Sequence, residues 1–133
     1  MNGPGSVSVK PTISFFVATA VMEAATGLAL LLTPTLVITL LVASPVTHTA
    51  LAMGRLAGAA LLALGAACWW ARAGPGSAAS RALVVGMSVY NVAVIAVVLT
   101  GSFGSPRRPI LCVLTLVHGA MAAWCLWLRR SHR

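Results

Sequence analysis

Of the 133 residues, 59% are hydrophobic and only 8% are charged, against about 25% charged in soluble domains. A water-soluble globular enzyme is therefore excluded. Nine Lys and Arg stand against a single acidic residue, Glu23, for a formal charge of +8; such a balance suits nucleic acid only where the bases form one surface, and here they fall between apolar runs, so no nucleic-acid partner is expected.

A transmembrane helix needs about 20 largely apolar residues, and four runs qualify: 13–32, 49–71, 82–100 and 110–128. The first carries only Glu23 among charged residues, the second only Arg55, and the last two none. Ala18-Thr19-Ala20 resembles a signal cleavage site, but the apolar run is longer than the about 7–15 residues of a signal core, which reads as a retained anchor. Residues 35–43 are apolar and β-branched yet too short to cross, and Pro34 would kink any extension of the first helix into them. An interfacial or re-entrant segment is expected there, lying as a lid over the outer face. Pro and Gly punctuate the connections at 72–81 and 101–109.

The expected fold is all-α: one integral membrane four-helix bundle spanning 1–133, antiparallel and up-down. Lys10, Arg72, Arg81, Arg129, Arg130 and Arg133 fall on one side and Arg107 and Arg108 on the other, six against two, which places both termini in the cytoplasm. Trp69, Trp70, Trp124 and Trp127 end helices on that same side, as an interfacial aromatic belt would. Arg129 and Arg130 beside them anchor the helix ends to anionic lipid. Glycines at Gly54-x-x-x-Gly58 and Gly65 suit close helix approach. Cys68, Cys112 and Cys125 form no C-x-x-C pair and read as small apolar residues.

Each span holds one strongly polar side chain: Glu23, Arg55, Asn91 beside Tyr90, and His118. Charge at mid-bilayer costs about 2.5–3.5 kcal/mol on the lenient scale and marks a functional site by default. Counted from the outer helix ends at 1.5 Å per residue, the four lie roughly 14, 9, 14 and 12 Å deep, in one slab about 5 Å thick. Glu23 and Arg55 are expected to pair there, since pairing is how such charges persist in hydrocarbon. Thr12, Thr19, Thr26 and Thr33 recur every seven residues on the Glu23 side of the first helix, which turns that side inward. A soft-metal site at His118, Met121 and Cys125 has suitable spacing, but Met at helical spacing ordinarily fills core. No metal and no cofactor are expected.

Residues 23–34 (Glu-Ala-Ala-Thr-Gly-Leu-Ala-Leu-Leu-Leu-Thr-Pro) and 55–69 (Arg-Leu-Ala-Gly-Ala-Ala-Leu-Leu-Ala-Leu-Gly-Ala-Ala-Cys-Trp) resemble a pattern in small four-span bacterial membrane proteins. They are loosely similar to the DoxX-like group, which implies a link to quinone-dependent oxidoreductases. The resemblance covers the first two helices, and no catalytic residue follows from it. Eight Arg to one Lys, with heavy Ala and Gly use, points to a high-GC bacterium, hence to its inner membrane.

Together these features suggest a protein that binds a lipophilic small molecule, quinone- or isoprenoid-like, through Glu23, Arg55, Tyr90, Asn91 and His118. Convergent polar groups in an apolar wall are what such a ligand needs. The alternatives are an enzyme using Glu23 and His118 as acid and base, a Glu23-dependent transporter, and an accessory subunit. Membrane lipid is a partner in each case. Four short helices bury limited surface, which favours a homo-oligomer or a place in a larger complex.

Overall fold

The computed structural model describes residues 9–42, 45–100 and 109–131. Arg107, Arg108, His132, Arg133 and the last position of the 35–43 segment lie outside them. Among the described residues there are five helices and no strand: α1 Val9–Leu32, α2 Pro34–Leu41, α3 His48–Ala71, α4 Ala78–Leu99 and α5 Pro109–Ser131. All but α2 are long and apolar enough to cross a membrane. Their 22 to 24 residues extend about 33–36 Å at 1.5 Å per residue, beyond a hydrocarbon core of about 30 Å.

The helices outrun the apolar runs because backbone bonding, not hydropathy, sets their ends. α1 starts at Val9 and carries Lys10 and Pro11 in its first turn, where a missing N–H costs nothing. α4 starts at Ala78, capped by Ser77, whose hydroxyl accepts from the Ser80 amide at 3.1 Å. Thr47 caps α3 in the same way, accepting from Ala50 at 3.2 Å. Pro34 ends α1 and occupies the first turn of α2. Residues 34–41 therefore form a short helix, and Val42 leaves it in an extended conformation.

α1 packs chiefly on α3 and α4 chiefly on α5. The first pair meets backbone to backbone: a Cβ on Gly27 would lie 2.7 Å from the Gly58 carbonyl oxygen, and one on Gly58 would lie 2.8 Å from that of Gly27. Contacts run in opposite order along the two helices, with Ala20 and Ala24 at Gly65 and Leu30 at Gly54 and Gly58. Ile38 of α2 closes over Gly54. Small residues allow this approach where no hydrophobic force drives helices together in lipid.

A core joins both pairs at one level. It consists of Phe15, Phe16, Ala20, Cys68, Val84, Met87, Met121, Cys125 and Leu128. Phe15 meets Phe16 and Trp124 edge to face, each at 5.6 Å between ring centroids, an arrangement the ring quadrupoles favour. Outside it, large apolar side chains stand exposed on every long helix, among them Leu28, Leu56, Val89 and Leu116. In water such a surface would associate; in hydrocarbon it faces lipid.

Candidate ligand cavity

Past the aromatic core the four long helices do not fill the space between them. On this side α3 presents Ala57, Ala60 and Leu61, and α1 presents Thr26. A cavity of about 600 Å³ results, walled by residues of α1, α3, α4 and α5 and by Leu41 of α2. Its lining is apolar except for Glu23, Thr26, Tyr90 and His118. A smaller pocket of about 210 Å³ lies at the other level, among Thr12, Ser80, Arg81 and Arg129. A groove of about 680 Å³ between α3 and α4, at Trp70 and Gly86, is lined by small residues. Neither reaches the polar cluster.

The cluster is a chain of contacts across three helices. The Tyr90 hydroxyl of α4 donates to Glu23 Oε2 of α1 at 3.3 Å. The Tyr90 ring stands edge-on to the His118 ring of α5, 5.6 Å between centroids and 76° between planes. His118 Nδ1 meets Asn91 Oδ1 at 2.7 Å, and Asn91 Nδ2 donates to the Met87 carbonyl at 2.7 Å. Glu23, Asn91 and His118 are buried. Adjacent residues on a helix diverge by about 100°, so Tyr90 lines the cavity while Asn91 sits behind His118 and fixes its ring. Three of the four expected interior polar residues thus come together, with Tyr90 as the link.

Arg55 does not join them. It is exposed on α3, is absent from the cavity wall, and Glu23 bonds Tyr90 in its place. The buried Glu23–Arg55 pair expected from the sequence is not formed. The cause is the α1 contact: Gly58 and Gly65 meet the α1 backbone, which sets Glu23 level with Gly65 and Gly54 level with Leu30 and Ile38, and Arg55, one residue past Gly54, is both ten residues along α3 from Gly65 and turned about 100° from the Gly54 face. A long guanidinium side chain there can lie along the helix and reach toward the membrane surface.

The threonine stripe is inward only in part. Thr12 and Thr19 are buried, Thr26 is exposed to the cavity, and the exposed Thr33 donates to the Ala29 carbonyl at 3.0 Å. A seven-residue repeat drifts about 20° per heptad on a straight helix, which carries the stripe off the interface. Of the soft-metal candidates, His118 Nδ1 is engaged by Asn91, while Met121 and Cys125 fill the core. Among the described residues no group of three His, Cys, Asp or Glu comes together.

Sequence reasoning missed Ala57, Ala60 and Leu41 as cavity walls. The one available signal was the run of alanines beside the glycines of α3, which marks a thin wall as well as a close contact. Compared with known proteins, the chain matches no family model, no curated protein and no solved structure.

Proposed function

We propose that this is an antiparallel, up-down four-span protein of a bacterial inner membrane, with both termini cytoplasmic, that binds a small lipophilic molecule in the cavity. The observation that carries this reading is an apolar cavity of about 600 Å³ whose polar atoms are gathered on one patch, Glu23, Tyr90 and His118. Ligand sites combine an apolar wall of about 300–1,000 Å³ with a few orienting polar groups. A quinone- or isoprenoid-like occupant suits both, and accords with the DoxX-like resemblance of the first two helices. The flanking bases Lys10, Arg72, Arg81, Arg129 and Arg130 support the orientation. The guanidinium of Arg72 lies 3.9 Å over the Trp69 ring, as an interfacial anchor would.

The test is mass spectrometry of the lipid extract from gently purified protein. A defined lipophile is expected with the wild type, and its amount falls at least tenfold in Ala60→Trp, which fills the cavity, and in His118→Ala. An extract containing only bulk lipid, identical in all three proteins, would overturn the reading.

A second reading is favoured by the presence of two proton-carrying side chains, Glu23 and His118, on one cavity wall: an enzyme acting on the bound molecule by acid–base chemistry. Loss of turnover in Glu23→Gln with ligand retained would support it, and conversion unchanged in that variant would remove Glu23 from the chemistry. An exposed Arg55 within a span also supports assembly with a second copy or another subunit.

A further inference from the structure

We infer that the cavity takes a hydroxyl head group, so that within the proposed class its ligand is a lipophilic alcohol or phenol, an isoprenoid alcohol or a quinol in place of the quinone, and not the corresponding carbonyl, ether or anion; this rests on the reading of the cavity as a ligand site. The Tyr90 hydroxyl spends its hydrogen on Glu23 Oε2 at 3.3 Å. Asn91 Nδ2 donates to the Met87 carbonyl at 2.7 Å, and because a carbonyl only accepts, this orients the amide and leaves Oδ1 toward His118. Oδ1 carries no hydrogen, so the hydrogen of the 2.7 Å Asn91–His118 contact sits on Nδ1. In the neutral ring Nε2 then keeps a lone pair and accepts.

Two atoms are left without a protein partner among the described residues, Glu23 Oε1 and His118 Nε2. The buried, unpartnered polar atoms are Thr19 Oγ1 and Arg72 Nε, so these two remain reachable, and both residues line the cavity. His118 Nε2 is an acceptor, and Glu23 Oε1 accepts from an ionised carboxyl or donates from a neutral one. The Thr26 hydroxyl, three residues from Glu23 on the same wall, can donate or accept as it rotates.

A ketone or ether brings lone pairs only, which would face the lone pair of His118 Nε2 and leave it unmatched in an apolar site. A carboxylate or phosphate fares worse, because no Lys or Arg lines the cavity among the described residues. A hydroxyl donates to one acceptor and can still receive from Thr26. Arg55, which would have suited a carbonyl or an anion, points elsewhere.

The experiment uses the full chain in lipid nanodiscs with tritiated farnesol as probe, and farnesyl methyl ether and farnesal as competitors. Farnesol is expected to compete about tenfold or more better than either, the worth of one buried hydrogen bond. In His118→Phe, which keeps the ring and removes the acceptor, that preference falls to about twofold or less. His118→Leu, which also removes the acceptor, is expected to lower the preference for farnesol in the same way and decides the matter should His118→Phe fail to fold. Equal competition by all three in the wild type would overturn the hydroxyl inference and leave the cavity reading standing. No saturable binding of farnesol, ether or aldehyde would overturn both.

Discussion

The two ends of this bundle are built from the same four helices and differ in how their interiors are filled. At one level Phe15, Phe16, Met87, Cys125 and Leu128 interlock with almost no exposure. At the other, Ala57, Ala60 and Thr26 leave a cavity, and the buried Glu23 and His118 stand on its wall with Tyr90 between them. The contrast teaches where the protein invests its rigidity. Close packing at one end, and the glycine contact of α1 with α3, hold Glu23, Tyr90 and His118 in register, while the space beside them stays open for an occupant. Dense interiors lose contacts with every methylene removed, and the proposed ligand would supply those contacts at the cavity level.

The comparison can be broken most severely at the packed end. Phe15→Ala is expected to cost about 3–5 kcal/mol, whereas Leu114→Ala, on the cavity wall, costs under about 1.5 because its neighbours on one side are already missing. Unfolding by titration with sodium dodecyl sulfate measures both, and equal losses would show that the cavity level is as tightly packed as the core. Gly58→Ala comes next, at about 1–3 kcal/mol, because its new Cβ would sit 2.8 Å from the Gly27 carbonyl and the helices must part. Gly86→Ala on α4 meets nothing within 4 Å and is expected to be neutral or stabilising by up to about 1 kcal/mol through helix propensity.

Asn91→Ala sharpens the comparison by separating the cluster from its support. It leaves the His118 Nδ1 hydrogen without its acceptor, at about 1–3 kcal/mol, and frees the ring to turn, so bound lipophile is expected to fall alongside stability. The smallest effect is that of Arg55→Ala: bound ligand unchanged, because the side chain lies outside the cavity wall. Loss of ligand in that variant would restore Arg55 to the site.

Much of this organisation was legible along the chain axis. The four long helices follow from apolar runs, and the common depth of Glu23, Asn91 and His118 follows from counting residues at a fixed rise. Gly54, Gly58 and Gly65 were readable as a contact face because only a missing Cβ lets backbones touch. The helix starts at Val9 and Ala78 were not, since capping by Ser77 and first-turn tolerance of Pro11 extend helices past the apolar runs. The 35–43 segment read as too short to cross, but that it forms a helix whose Ile38 covers Gly54 became visible only in space.

What the sequence alone determined is how far along each helix its chemistry lies: four apolar spans, one acid, and a polar tier at a shared height. What the tertiary structure decided is the direction in which each side chain points. Arg55 stands beside Gly54, level with Leu30 and Ile38, whereas Glu23 lies level with Gly65, and Tyr90, which the sequence set beside Asn91 as a ligand contact, became the link between Glu23 and His118. The reason is geometric. Distance along one helix follows from a rise per residue common to all helices, whereas level and azimuth between helices depend on where neighbours are pinned, and here the contacts of Gly58 with Gly27 and of Gly65 with Glu23 set Arg55 ten residues along α3 from the level of Glu23.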